Sequence, residues 1–455
     1  MEMLTQIVSN ASDFLWNVIL IILLCGTGFY YTIRLRFIQV RKFREGLGQV
    51  FGHMFSKEQR KNKGAAGEMT PFQSVATAIA AQVGTGNLAG AATALVGGGP
   101  GAIFWMWLSA FFGMATIYSE AVLAQEYKTV KDGEVTGGPV YYIHAAFKGT
   151  FGRVLAVCFA VFIVFALGFS GNMVQSNSIG SAFAEVFEVY NLNIPPIAIG
   201  LVVAAICAVI FLGGVDRLAS VVEKLVPLMA GIYIVGSLTL ICLHITAVPV
   251  ALKMIFVGAF NPEAVMGAGA GIAVREAIRY GVARGLFSNE AGMGSTPHAH
   301  ARAKAENPHK QGLAAMISVF IDTFIILNLT VFSILTTGVL GSGKDGTALT
   351  QAAFMTSFGN FGIIFVAVCL FFFAFSTILG WHFFGLVNMK YLFGEKAGKV
   401  YSVLVVIFVV IGSTLKVDLV WSMSDFFNGL MVIPNALALW ALSSTVVKIS
   451  KKFSK

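Results

Sequence analysis

The chain of 455 residues is 57% hydrophobic and only 12% charged, with a mean hydropathy of +0.80, whereas soluble globular domains run about 45–50% apolar and about 25% charged. Those proportions exclude an ordinary soluble enzyme, and 49 Gly beside 40 Phe suit a polytopic membrane domain, in which glycine is unusually frequent. The net charge of +9, from 31 basic and 22 acidic residues, would raise nucleic acid for a soluble protein; here it is what Lys- and Arg-rich loops on one side of a membrane produce.

Glu2 and Asp13 precede the first apolar run without any Lys or Arg, so the basic n-region of a cleaved signal peptide is missing and that run reads as a retained span. A spanning helix needs about 20 mostly apolar residues. Such runs cover 15–35, 72–95, 101–125, 154–182, 195–212, 221–245, 274–301, 312–340, 361–387, 401–413 and 420–447, which predicts an all-α protein of eleven spans. Residues 248–260 read instead as an interfacial or re-entrant helix. One transmembrane domain results: an extra N-terminal helix with a basic segment (1–70), five helices (71–245), five more (246–447) and a basic tail (448–455). An odd number of spans puts the termini on opposite sides. With the N-terminus outside, 25 of the 31 Lys and Arg fall in segments that face the cytoplasm, and that excess sets the orientation. Cys25, Cys158, Cys207, Cys242 and Cys369 all lie in apolar runs without a C-x-x-C, so they read as small core residues and no disulfide framework or zinc knuckle is legible.

Two spans are interrupted. In the second, Gln82-Val83-Gly84-Thr85-Gly86-Asn87-Leu88-Ala89-Gly90 places three glycines and an Asn inside an apolar run. Five spans later comes Gly285-Leu286-Phe287-Ser288-Asn289-Glu290-Ala291-Gly292-Met293-Gly294-Ser295-Thr296-Pro297. Glycine costs about 1 kcal/mol against alanine in a helix interior, and polar, Gly-rich backbone at membrane depth is tolerated only where it is buried in protein or lines a wet cavity. Small-residue packing faces would account for one such segment. Two, at corresponding places in two five-helix halves, point to the binding site of a transporter, and the odd spacing makes the repeat inverted.

The run Gly97-Gly98-Gly99-Pro100-Gly101-Ala102-Ile103-Phe104-Trp105-Met106-Trp107-Leu108, with Val83 to Asn87 before it, closely resembles the alanine or glycine:cation symporters of bacteria and archaea. Gly171-Asn172-Met173-Val174-Gln175-Ser176-Asn177-Ser178 and the run from Gly285 to Gly292 are similar to the same family, and the resemblance covers nearly the whole chain. It implies a LeuT-like fold of inverted five-helix repeats after one extra helix, in a prokaryotic plasma membrane.

An amino acid presents a carboxylate and an ammonium, and unwound helices supply N–H groups for the first and carbonyls for the second. The carboxylate is assigned to the Thr85 and Gly86 amides with Asn87, and the ammonium to carbonyls around Phe287 and Ser288. Gln175 is either a further substrate contact or an interhelical hydrogen bond. Sodium is a hard ion that takes oxygen ligands, and the resemblance implies a site made by Ser376 and Thr377 with the Ala80 and Val83 carbonyls; the same hydroxyls could bond only their own helix. Trp381 lies one turn beyond Thr377 on the same face, and with Phe287 and Met293 it would limit the side chain to hydrogen or methyl. Alanine and glycine are the expected substrates, and D-alanine too, since the resemblance implies loose stereoselectivity.

Glu120, Glu290 and Asp322 are intramembrane carboxylates, which are functional hypotheses by default. Glu120 and Glu290 read as acceptors for unwound N–H groups; titrating, any of the three would allow proton coupling in the same fold. His298, His300 and His309, among Arg302, Lys304 and Lys310, read as a solvated loop because no Cys or paired carboxylates complete a metal-ligand set. No nucleophile elbow, Walker A or dinucleotide fingerprint supports an enzyme, and a non-transporting sensor would ordinarily append a soluble domain. No organic cofactor, nucleic acid or obligate protein partner is implied; the expected partners are a small neutral amino acid, sodium as coupling ion and the lipid bilayer.

Overall fold

The computed structural model describes residues 10–12, 14–54, 68–266, 274–415 and 417–453. Helix α1 (Leu20–Arg34), entered through a π-helical turn at Leu15–Ile19, stops where Arg36 and Phe37 both take a φ of 56°. The amphipathic helix α2 (Phe43–Met54) follows. Helix α3 (Pro71–Gln82) begins with a capping box in which Gln73 N donates to Thr70 Oγ1 and Thr70 N to Gln73 Oε1, both at 3.1 Å. Pro71 occupies its first position, where a missing N–H is no loss.

After a break come α4 (Ala91–Gly98) and α5 (Gly101–Glu126). The basic segment after α5 folds into an antiparallel hairpin, β1 (Thr129–Lys131) with β2 (Glu134–Thr136), Val130 opposite Val135, and a short helix α6 (Pro139–Ala146). Helix α7 (Gly149–Val189) runs for 41 residues through a π-helical stretch at Val164–Gly171. Then come α8 (Pro196–Phe211), α9 (Gly214–Leu243) and α10 (Val248–Gly258), the last being the short helix expected at 248–260. Helices α11 (Val274–Asn289) and α12 (Pro297–Ala301) flank the second break. The chain continues through α13 (Pro308–Thr337), α14 (Gly346–Phe358), α15 (Asn360–Phe393), α16 (Glu395–Gly412), α17 (Val417–Ala441) and α18 (Ser443–Phe453).

Among the described residues, five helices are long and apolar enough to cross a membrane, and seven if each of two bent pairs counts as one span. The bent pairs are α3 with the segment Gly86–Gly98, at 47°, and α17 with α18, at 60°. Helix α5 is the central strut, packed by α1, α11 and α13. Gly285 permits the close approach of α11: a Cβ there would lie 2.7 Å from Met106 Cγ.

Several expectations are corrected. The run at 420–447 is not one helix, because α17 ends at Ala441 and α18 turns away with Lys448, Lys451 and Lys452 exposed. Helix α14 gave no signal as a span, being only 13 residues long. Cys207 and Cys369 are buried, but Cys25 and Cys158 are half-buried and Cys242 is exposed. A bilayer is as apolar as a core, so an apolar run does not say which face of its helix meets lipid.

The excess of basic residues on one side can be tested at two exposed serines, Ser342 and Ser444. Cysteine at Ser342 in a cysteine-free background is expected to react with an impermeant maleimide on intact cells, and cysteine at Ser444 only after permeabilisation. The opposite pattern would invert the topology.

Candidate binding site at the two helix breaks

Helix α3 ends at Gln82, Val83 leaves helical geometry with ψ of 88°, and the chain re-enters through a π-helical turn at Gly86–Gly90. The carbonyls freed there face α15. Thr377 Oγ1 donates toward Ala80 O at 2.8 Å and lies 3.4 Å from Val83 O, and Ser376 Oγ lies 3.5 Å from Ala80 O. Both hydroxyls also bond Phe373 O in their own helix, at 2.8 and 3.0 Å. The structure thus brings Ala80, Val83, Ser376 and Thr377 together as a set of four oxygens. Gly84 is what lets them meet, because a Cβ there would collide with Thr377 Oγ1 and sit 3.1 Å from Gln175 Oε1.

The other side of the first break faces α7 and α13. Gln175 Oε1 accepts from the Thr85 amide at 3.1 Å, and Asn87 Oδ1 accepts from the Gly84 amide at 2.9 Å. The expectation that the Thr85 amide stands ready for a carboxylate is therefore corrected, because a side chain of α7 already holds it. What is left over is different: Thr85 Oγ1 and Gln175 Nε2 are buried polar atoms without a hydrogen-bond partner.

At the second break, Glu290 has φ of 58°, Gly292 of 86° and Gly294 of 81°. Glu120 of α5 takes over the unwound amides, accepting from Gly292 N at 3.0 Å, Gly294 N at 2.9 Å and Asn435 Nδ2 at 2.6 Å. Gln82 Nε2, from the end of α3, donates to Asn289 O at 2.8 Å. Glu290 accepts from Ser295 Oγ and from Trp381 Nε1. The Trp381 ring meets Phe287 edge-on at 5.9 Å between centroids, and Phe287 in turn meets Trp421 at 4.9 Å. Met293 is buried within the same break, its amide donating to Glu290 O at 3.2 Å.

The two breaks touch: a Cβ on Gly86 would lie 3.0 Å from Ser288 Cα. Asp322, fully buried in the π-helical stretch Phe320–Leu327 of α13, joins them. Its carboxylate accepts from Asn87 Nδ2 at 2.7 Å, from Ser288 Oγ at 3.0 and 3.1 Å, and from Thr323 Oγ1 at 2.9 Å. Sequence reasoning noticed the carboxylate but had no means of placing it beside Asn87 and Ser288.

On one side of this junction lies a cavity of about 320 Å³ lined by Asn177, Arg284, Gln351 and Trp421, among others. Arg284 bonds both oxygens of Asp425, at 3.2 and 3.0 Å, and stacks over Trp421 at 4.8 Å. On another side His298, His300 and His309 are buried, which corrects the expected solvated loop. Asn388 Nδ2 donates to His298 Nε2 at 2.8 Å, Gln311 Nε2 to His300 Nδ1 at 2.8 Å, and Gln125 Nε2 to the carbonyls of His300, Ala301 and Ala303. Arg302 reaches Glu134 of β2 at 3.2 Å. Among the described residues no group of His, Cys, Asp and Glu has the arrangement of a transition-metal site.

The sequence model of the sodium:alanine symporter family matches residues 1–455. The chain belongs to this family. It is 40% identical over 456 residues to the sodium/alanine symporter AgcS of Methanococcus maripaludis, covering 99% of this chain and 97% of that one. It is also 40% identical to the amino-acid carrier protein AlsT of Bacillus subtilis (99% and 92% covered) and 38% identical to the probable sodium/glutamine symporter GlnT of the same organism (100% and 91%). Among solved structures it is similar to MhsT in complex with L-phenylalanine, with a TM-score of 0.59 at 13% identity, covering 86% of this chain and 99% of that one. A manganese transporter of Eremococcus coleocola, solved as a point mutant, gives 0.52 at 14% identity, with 84% and 81% covered. The fold is thus that of the LeuT-like transporters, and the family is one of transporters rather than enzymes.

The acceptor role of Glu120 yields a stability prediction. Glu120→Ala leaves the Gly292 and Gly294 amides without their acceptor, at about 1–3 kcal/mol for each unsatisfied group, while Asn435 Nδ2 keeps only Gly292 O. The variant is expected to unfold well below the wild type in a thermal shift assay in detergent, with Glu120→Gln in between. An unchanged melting temperature for Glu120→Ala would show that the break is held otherwise.

Proposed function

We propose that this member of the family is a secondary active symporter that imports small neutral amino acids, alanine and glycine foremost with D-alanine accepted, by alternating access driven by sodium. The observation that carries the reading is the convergence of the Ala80 and Val83 carbonyls with the Ser376 and Thr377 hydroxyls at the first break. Four neutral oxygens suit a dehydrated hard cation without burying a net negative charge. Its similarity to the sodium/alanine symporter AgcS of Methanococcus maripaludis supports the same coupling.

The substrate lies, in this reading, between the two breaks. Thr85 Oγ1 and Gln175 Nε2, both buried and unpartnered, are the donors left for its carboxylate, with the Gly86 backbone beside them. Its ammonium faces the Phe287 and Ser288 carbonyls and the Asp322 carboxylate, whose charge Asn87 and Ser288 already help to hold. Trp381, Phe287 and Met293 form the wall against the side chain. The Arg284–Asp425 pair over Trp421 closes the path from the 320 Å³ cavity, and the buried His298, His300 and Arg302 layer closes the cytoplasmic path. The whole is read as eleven spans in a five-plus-five inverted repeat after α1, with the N-terminus outside and the C-terminus cytoplasmic. Glu120 and Glu290 are engaged with amides, Ser295 and Trp381, which supports a knitting role over a proton relay.

Counterflow of labelled alanine in proteoliposomes, with sodium, potassium and a pH gradient varied in turn, tests the coupling. Uptake that follows the pH gradient and ignores sodium would overturn it. A lost oxygen ligand costs about 1–3 kcal/mol, so Thr377→Ala is expected to raise the sodium concentration for half-maximal uptake roughly ten- to a hundredfold. Unchanged sodium dependence in a well-expressed variant would remove Thr377 from the cation site.

Substrate size is tested separately, because a relative 38% identical is named for glutamine. Overlap with a packed aromatic wall is penalised more than a missing methylene, by about 1–3 kcal/mol for overpacking. The wild type is expected to carry alanine and glycine in mutual competition and little leucine, and Trp381→Ala to admit larger amino acids. Leucine or glutamine uptake by the wild type at the alanine rate would refute the pocket assignment.

A further inference from the structure

Outside the transport site, the largest run of cations follows α1. Arg34, Arg36, Arg41, Lys42 and Arg44 fall within eleven residues. The two positive-φ residues Arg36 and Phe37 turn the chain here from a span into a short helical turn, Ile38–Arg41, and then α2. The Arg41 side chain fixes the turn by donating to Arg36 O at 2.7 Å and Leu35 O at 3.1 Å. Between the cations, Phe37, Val40 and Phe51 are exposed. An interfacial segment looks like this: apolar side chains directed at the acyl boundary, guanidinium groups at the headgroups.

The C-terminal helix arrives at the same place. Tyr30 Oη lies 3.0 Å from Ser443 Oγ at the start of α18, Tyr30 stacks on exposed Trp440 at 5.0 Å, and the Arg34 guanidinium stands 5.6 Å over the Tyr30 ring. Helix α18 buries Val446 and Ile449 and exposes Ser444, Lys448, Lys451 and Lys452 along one face. Among the described residues, Arg34, Arg36, Arg44, Lys448, Lys451 and Lys452 form no ion pair, whereas Lys42 beside them pairs with Glu45 at 2.8 Å. Six exposed cations, Arg34 at the end of α1, Arg36 and Arg44 just after it and three on α18, whose start meets α1 at Tyr30, lack a counter-charge among the described residues.

We infer that these two helices form a binding surface for anionic phospholipid headgroups. The surface takes its phosphates from the leaflet itself, since Trp440, Phe37 and Phe51 set its depth at the bilayer interface. Each Lys or Arg near a charged leaflet adds to the attraction for anionic headgroups, and six together favour them over neutral lipids of equal acyl chains.

The test uses the purified full-length chain, offered equal amounts of phosphatidylglycerol and phosphatidylcholine with identical acyl chains, and native mass spectrometry to count retained lipids. The wild type is expected to prefer phosphatidylglycerol about tenfold, and high salt to shrink that preference because exposed charges are screened. Gln at Arg34, Arg36, Arg44, Lys448, Lys451 and Lys452 together is expected to abolish it. A control with Gln at the exposed Lys131, Lys148, Arg153, Lys304, Lys396 and Lys399 is expected to keep it. Should the six-site variant fail to fold, the triple variants R34Q/R36Q/R44Q and K448Q/K451Q/K452Q are each expected to lower it about threefold. No preference in the wild type, or an equal loss in the control, would overturn the inference.

Discussion

Backbone polar groups at membrane depth have no water to bond, so every helix break must find its partners inside the protein. The architecture around the site follows from that demand. At the first break the amides of Gly84 and Thr85 go to Asn87 and Gln175, and the carbonyls of Ala80 and Val83 go to α15. At the second break the amides of Gly292 and Gly294 go to a single carboxylate, Glu120. A polar group buried beneath apolar helices is expensive unless it is hydrogen-bonded, and Glu120 is tolerated because three donors converge on it.

The same satisfied breaks leave a small surplus, and it is on this surplus that the proposed substrate and ion sites rest. Thr85 Oγ1 and Gln175 Nε2 have no partner, while the oxygens near Thr377 are shared between a neighbour and their own helix. Asp322 ties α13 to both breaks at once. Any movement of α11 relative to the segment Gly86–Gly98 therefore changes the geometry of Asp322, Ser288 and Asn87 together.

In the proposed reading, closure on the two sides uses different physics. Toward the 320 Å³ cavity the barrier is thin, one bidentate Arg–Asp pair over an indole and a Phe287–Trp421 contact. Toward the hairpin it is thick. Gln125 bonds three carbonyls there, the Met69–Ala303 bridge adds backbone pairing, and the His298 and His300 rings fill the space.

Composition and the spacing of apolar runs were sufficient for a polytopic helical protein, since about 20 apolar residues in a row have few other uses, and Gly-rich polar segments inside two such runs marked the breaks because their helical cost is local. Gln175, Ser376 and Thr377 were singled out through motif resemblance, and the structure sets all three against the first break. The rest was decided in three dimensions. Glu120 meets Asn435 across 315 residues and Thr85 meets Gln175 across 90, and no periodicity relates such positions. The histidines looked like a solvated loop because their neighbours in sequence are basic, but in space His298 meets Phe159, Phe384 and Asn388, His300 meets Gln311 and His309 meets Tyr118. Nor does an apolar residue reveal whether it faces lipid or core, as Cys207 and Cys242 show, because in a bilayer both environments are equally free of water and only packing tells them apart.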